Sequence, residues 1–356
     1  MEERNRIMPS PTFGLVIRLV IATSVLGMAS RAAAVDFATR CAAPGVVRCV
    51  SFDSQTDISG GYGSNSGIFS GATTPQIDTA TKASGAGALK FTIPSNSPAD
   101  TSGSYFTNFS TNLATQFGEN QEFFIQWRQR FSPEFANTAY QGGGGWKQVI
   151  MGTGDVSGGT PTNSCTDLEL VVQNTNHRGF AQMYNSCSGS ASHGPYDAFE
   201  QSFNSFDFKL QNARPTPYCL YSQGNTSPKT YFPPAGNCFG YFPNEWMTFQ
   251  VHAKLGPRVN GEFTNSQIKL WIARQGQPSQ LVIDWGPYNL TAGSLSSNQR
   301  FGKVWLLPYN TGKSSSQAHP IAYTWYDELI ISTAKIEDAD GSAGPSPLPP
   351  TQLTAN

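Results

Sequence analysis

The sequence predicts an all-β fold of two packed antiparallel sheets. Three observations carry this reading. About ten segments alternate apolar and polar residues with a period of two, each bounded by turn residues. No long amphipathic helix interrupts them. Charged residues make up only 13 % of the chain, and Gly, Ser, Thr, Asn and Gln fill the difference, as in extracellular β-proteins rich in turns. About ten strands joined by long polar connections suit a sandwich with apolar inner faces and polar outer faces.

Taken in order, the chain opens with an export pattern. Arg4, Arg6 and Arg18 lie before or inside an apolar stretch from about Phe13 to Ala29, and Ala32-Ala33-Ala34 supplies a small-residue cleavage site. Residues 1–34 are therefore expected to be a signal peptide cleaved before Val35, sending the protein outside the cell or into a periplasm. Arg18 breaks the apolar run and argues against a permanent transmembrane helix. Six Cys agree with an oxidising compartment. Their connectivity is not fixed by counting; sequential pairs Cys41–Cys49, Cys165–Cys187 and Cys219–Cys238 are expected, because each closes a short loop. Metal ligation is the rival use of these Cys, but no C-x-x-C or H-x-x-x-H spacing supports it.

The strands follow. Ala88–Pro94 is short. Glu122–Phe131 places Phe123, Ile125, Trp127 and Phe131 on one face and Gln126, Arg128 and Arg130 on the other. Trp146–Met151 follows a glycine run. Asp167–Gln173 sets Asp167, Glu169, Val171 and Gln173 opposite Leu168, Leu170 and Val172, and Gly179–Asn185 returns as its hairpin partner. Trp246–Leu255 buries Met247, Phe249, Val251 and Leu255 and presents Thr248, Gln250, His252 and Lys254. Gln267–Arg274, Gln280–Trp285, Lys303–Tyr309 and Thr324–Ser332 complete the set. The loop-rich, aromatic stretch Ser188–Phe242 is expected to decorate the sandwich. Residues 35–336 thus form one catalytic or binding domain, and the Asp-, Gly-, Ser- and Pro-rich residues 337–356 a disordered tail.

Charge narrows the partners. With 23 basic and 24 acidic residues, a broad basic face for nucleic acid is not expected, nor attraction to an anionic membrane. Thirteen Tyr and seven Trp offer flat faces for sugars, although most such rings belong to cores and strands. No G-x-S-x-G elbow marks a serine hydrolase, and the glycine run Gly142–Trp146 is not followed by the G-K-[ST] of a phosphate loop. A polysaccharide partner, a monomeric chain and no required cofactor are expected. A structural calcium ion would suit such a sandwich, though no D-x-D-x-D loop marks one.

The succession WKQVIMG, DLELVVQNTNHRGFAQMYNSC, NEWMTFQVHAKLG, IKLWIARQGQPSQLVID, KVWLLPYNTGK and YTWYDELIIS resembles the concanavalin A-like jelly-roll proteins over roughly Phe52 to Ser332. Within that superfamily it looks nearest to secreted polysaccharide-lyase-like proteins, distantly related to alginate and glucuronan lyases. The resemblance implies a β-jelly-roll and β-elimination on a uronic-acid-containing polysaccharide. KVWLLPYNTGK places Tyr309 where that family keeps a catalytic Tyr. The family's Gln-Ile-His motif is not reproduced at its expected strand, where KQVIMG stands; a Gln-Val-His occurs later, at Gln250–His252. The family's Arg-rich motif is not recognisable around Lys90–Phe106.

Such a lyase must neutralise a carboxylate, remove the C5 proton and protonate the leaving oxygen. Tyr309, Arg128, Gln148 and His252 are accordingly the candidate catalytic residues. Arg130, Lys147, Glu169, Gln173, Asn174, Arg178 and Lys313 are the candidate substrate-binding residues. Lys147 and Gln148 have opposite parity, so only one of them should face a groove. Two alternatives stay open. A jelly-roll glycoside hydrolase would use Asp167 and Glu169, about 6–7 Å apart on one strand face, although the Glu-x-Asp-x-x-Glu pattern of jelly-roll glucanases is absent. A non-catalytic carbohydrate-binding protein would need only the groove, aromatic platforms and amide side chains.

Overall fold

A computed structural model describes residues 35–61, 64–99, 102–141, 145–155, 166, 168–174, 179–185, 239–293 and 298–339. The elements are α1 (Phe37–Cys41), β1 (Val46–Val50), β2 (Ser66–Phe69), β3 (Gln76–Asp78), β4 (Ala88–Ile93), β5 (Ser104–Asn108), β6 (Glu122–Phe131), α2 (Pro133–Asn137), β7 (Trp146–Thr153), β8 (Glu169–Asn174), β9 (Gln182–Asn185), β10 (Trp246–Lys254), β11 (Arg258–Val259), β12 (Glu262–Ala273), β13 (Gln280–Thr291), β14 (Phe301–Leu306) and β15 (Ala322–Ser332). One sheet has the order β11-β12-β10-β6-β15-β4-β3, with β1 also on β15 and β13 also on β12; the other runs β2-β5-β14-β7-β8-β9. Every pairing is antiparallel. The fold is an all-β sandwich, as the alternation predicts.

Each of the ten predicted strands is present. The five that alternation missed, β1, β2, β3, β5 and β11, have two to five residues, too few to display a period. The β14 strand stops at Leu306 instead of running to Tyr309, because Pro308 has no N–H to give a ladder. Residues 1–34 and the Cys165–Cys187 and Cys219–Cys238 pairs lie outside the described residues, as does almost all of Ser188–Phe242. The Cys41–Cys49 disulfide is present.

The inner faces form the core. Phe123, Ile125, Trp127 and Phe131 of β6 meet Met247, Phe249 and Val251 of β10, Val149 and Met151 of β7, and Val304 and Leu306 of β14, all fully buried. Trp127 and Phe249 stack at 5.3 Å between centroids. Burying each such side chain contributes about 1.5–3 kcal/mol. One polar cluster crosses this core. Gln148 of β7 donates from Nε2 to Gln129 Oε1 of β6 at 3.0 Å, and Tyr241 donates to Gln148 Oε1 at 2.6 Å. Trp127 Nε1 also donates to Gln129 Oε1 at 3.2 Å, Gln129 Nε2 donates to Thr324 Oγ1 at 3.0 Å, and Tyr326 donates to the Gln148 carbonyl at 2.9 Å. Burial keeps the Tyr241 and Tyr326 phenols well above their ordinary range, hence neutral donors.

The outer face of the nine-stranded sheet holds a second polar cluster. In β15, Glu328 takes a left-handed φ of 52° where the register with β6 shifts. The bulge brings Asp327 and Glu328, neighbours in sequence, together on this face, both of them buried. Arg40 of α1 hydrogen-bonds Glu328 and Gln126, and Arg128 lies 3.8 Å from Glu328. Asp327 accepts from the backbone N–H groups of Ala83, Ser84 and Glu328. The chain stays packed three residues beyond the expected tail boundary: Gln250 exchanges two hydrogen bonds of 2.9 Å with the Ile336 backbone, Gln126 Nε2 donates to Glu337 O, and the Ser279 N–H donates to Asp338.

Arg40→Ala should cost about 3–5 kcal/mol, because it removes one partner of a buried ion pair; denaturant unfolding measures this. Burial pushes the Asp327 carboxyl up to about 7 from 3.8, against its backbone donors. A raised folded-state value means that stability is fully present below the unfolded value and lost as pH rises through the folded one. Between about pH 4 and 7, the unfolding free energy of the native chain should therefore fall relative to Asp327→Asn, by up to about 1.4 kcal/mol per pH unit.

Candidate functional site

Eight of the eleven predicted site residues divide among three places. Tyr309, Lys147, Glu169 and Gln173 gather at the outer face of the six-stranded sheet. Gln148 lies in the core. Arg128, Arg130 and His252 belong to the outer face of the other sheet, across the sandwich. Among the described residues, no groups of three or more His, Cys, Asp or Glu are placed to hold a metal ion.

The gathering at the six-stranded sheet begins with a bulge. The register of β7 against β8 shifts between Lys147 and Val149, so Gln148 and Val149 both turn to the core while Lys147 turns outward. Lys147 N donates to the Tyr309 carbonyl at 2.8 Å, which fixes the end of the β14 extension beside it. The Lys147 ammonium stands 5.5 Å from the Tyr309 ring centroid, 5.8 Å from the Tyr184 centroid and 3.9 Å from Glu169 Oε1. Tyr184 donates to the same Glu169 oxygen at 3.2 Å. Beneath lies an apolar row formed by Phe106, Trp305, Ile150, Val171 and Tyr184, register neighbours across β5, β14, β7, β8 and β9.

Exposure separates a mouth from its support. Lys147, Gln173 and Tyr309 are partly exposed, whereas Glu169 and Tyr184 are buried behind them. Burial lowers the Lys147 pKa and the Glu169 charge opposes that shift. The arrangement offers a cation with restrained solvation, a phenol beside it, and a buried carboxylate that orients the cation.

At the other end of the β14 face, Lys303 bonds both Asp155 oxygens at 2.9 Å and sits 4.4 Å from the Trp305 centroid. Burial brings the Lys303 pKa down to about 8, with Asp155 opposing. Asn108 clamps Asp155 by accepting from its N–H at 3.0 Å and donating to its carbonyl at 2.7 Å. Sequence reasoning missed Lys303 and Tyr184. The period of two in Lys303–Tyr309 puts Lys303, Trp305, Leu307 and Tyr309 on one face, which is the signal that could have found Lys303.

The remaining candidates take other places. Gln148 is wholly buried in the core cluster and cannot meet a polymer on either outer face. Arg128 is buried beside Glu328. His252 stacks on Phe124 at 4.2 Å, bonds Glu122 through Nε2 at 2.7 Å, and has its pKa lowered mainly by burial. These three, expected as catalytic, therefore do not join Tyr309, because the strands that carry them present those side chains elsewhere. Arg130 stands across the sheet, between two Trp residues. Asn174 is buried and accepts from Gly179 N at 3.0 Å, holding the hairpin end. Lys313 donates to Pro94 O at 3.0 Å and to Ser97, so it braces a loop. Arg178 and Asp167 lie outside the described residues.

No protein-family model matches this chain, and no curated protein matches it. Among solved structures it is similar to the marine PL-14 alginate lyase from Aplysia kurodai, at 14 % identity over 73 % of this chain and 87 % of that one, with a TM-score of 0.41. It is also similar to the alginate lyase Aly36B, at 14 % identity over 87 % and 95 % of the two chains with a TM-score of 0.39. The alginate lyase vAL-1 from Chlorella virus matches at 11 % identity over 81 % and 99 %, with a TM-score of 0.38.

Proposed function

We propose that the protein is a secreted polysaccharide lyase that cleaves a uronic-acid-containing chain by β-elimination. The observation that carries this reading is the Lys147 ammonium set between the Tyr309 and Tyr184 rings, 3.9 Å from the buried Glu169. A cation beside a phenol is the pair that the elimination requires. The Lys147 ammonium neutralises the uronate carboxylate and so acidifies the neighbouring C5–H bond. Tyr309 is the base, acting as its phenolate. The phenolate takes the C5 proton, a C4=C5 double bond forms, and the C4–O4 bond breaks. Tyr309 then returns the proton to the departing O4. Gln173, partly exposed on the same face, would hydrogen-bond the sugar. The sequence resemblance of the KVWLLPYNTGK strand supports the same role for Tyr309, and the N-terminal export pattern supports secretion.

The test is ultraviolet absorbance of the unsaturated product while the mature chain is incubated with alginate, polyglucuronate, pectate or heparin, with neutral glucans as controls. Tyr309→Phe should lower kcat by about 10²–10⁴-fold while circular dichroism stays unchanged; full activity in that variant would remove the proposal's central residue. Glu169→Gln removes the charge that holds the Lys147 pKa up. The alkaline limb of the activity profile should therefore move to lower pH, read from kcat/KM against pH.

A further inference from the structure

Arg130 has an outward setting that the proposed reaction does not use. In register across the nine-stranded sheet, Gln76 of β3 pairs with Lys90 of β4, Lys90 with Trp325 of β15, Trp325 with Arg130 of β6, and Arg130 with Trp246 of β10. The row therefore alternates cation and indole, and its two cations stand two strands apart, about 10 Å at the usual strand spacing. The indoles are sunk into the face, Trp325 at 8 % and Trp246 at 3 % exposure, where they pack with Ala88 apart from the main core. They are rigid walls. The charged ends reach solvent: the Lys90 side chain is 31 % exposed and Arg130 is partly exposed.

The two cations are held differently. Lys90 lies 4.3 Å from the centroid of the partly exposed Tyr323 ring and 3.7 Å from Asp78 Oδ2. Asp78 is itself anchored by the Trp325 indole N–H at 2.8 Å and the Ala80 N–H at 2.9 Å. No acidic partner faces the Arg130 guanidinium among the described residues. An unpaired guanidinium on a rigid floor is a ready fork for a carboxylate. A partly exposed Tyr ring beside a second cation suits the apolar face of a sugar that bears a carboxylate.

We infer that this row is a second, non-catalytic site that binds acidic polysaccharide on the face opposite Lys147 and Tyr309. Its ligand class rests on the lyase reading; its geometry does not. A site there would hold the enzyme on an extended or gelled polymer while another segment is cleaved, raising the effective concentration of substrate at the reacting face.

The experiment measures retention on alginate, polyglucuronate and pectate gels by affinity electrophoresis, in a Tyr309→Phe background so that the gel is not degraded. Adding Lys90→Gln and Arg130→Gln should weaken retention about tenfold or more, the scale of losing charge-assisted contacts. Arg130→Lys should restore part of it. In the chain with Tyr309 intact, the same two Gln substitutions should leave turnover of short oligosaccharides unchanged. Equal retention with and without them, at unchanged melting temperature, overturns the inference. So does failure of every gel to retain the Tyr309→Phe chain, or an equal loss from Arg130→Gln and Arg130→Lys. Failure of the lyase reading is seen separately, as no unsaturated product from the chain with Tyr309 intact.

Discussion

The hydrogen bond between Gln148 and Gln129 is the contact on which the candidate site depends. Two amides facing each other across an apolar core are costly unless every polar atom finds a partner. Here Tyr241, Trp127 and Thr324 complete the set. That network fixes Gln148 inward, and the chain can accommodate an inward Gln148 followed by an inward Val149 only by bulging. The bulge sets the direction of Lys147, and the Lys147 backbone in turn fixes Tyr309 through its carbonyl. A core contact thus decides where two surface groups meet.

Two buried carboxylates, Glu328 and Glu169, hold their cations in different ways. On the nine-stranded sheet, Arg40 and Glu328 are withdrawn from water together, so each satisfies the other and the cluster is closed. On the six-stranded sheet, Glu169 is buried at 1 % side-chain exposure while its cation keeps 13 %. A buried anion beside a partly wet cation leaves that cation oriented but able to engage a further negative group. The first arrangement is suited to holding secondary elements together, the second to meeting a ligand.

Much of the fold was legible because period two survives wherever one strand face meets a core. β6 and β10 show it over most of their length, with Gln129 turned into the core and Phe124 and Trp246 turned outward, and β6 has the residue limits its alternation gives. The parity of β8 likewise placed Glu169 and Gln173 on the face opposite Leu170 and Val172. The candidate site was legible only in pieces. Parity states that Lys147 and Gln148 point to opposite sides but not which side is the groove, and Gln148 as a candidate catalyst failed on that point. Nor does parity state which sheet a strand joins, so Arg128 and His252, both polar and outward, could not be separated from Lys147 by pattern. That separation is made by long-range pairing, β6 with β10 and β15 and β7 with β8 and β14, which no local period encodes.

The pairing of β1 with β15 has a consequence for how the molecule is made. Val46 meets Ser332 and Val50 meets Leu329, while Arg40 closes on Glu328 from 288 positions away in the chain. The strand that β1 pairs with therefore follows it by almost the whole described length of the chain, so β1 is without its ladder partner until β15 has been made. Loop-closure entropy makes such pairing slow. Docking of α1 and β1 on β15 should therefore be a late step in folding, after the pairings between strands nearer in sequence.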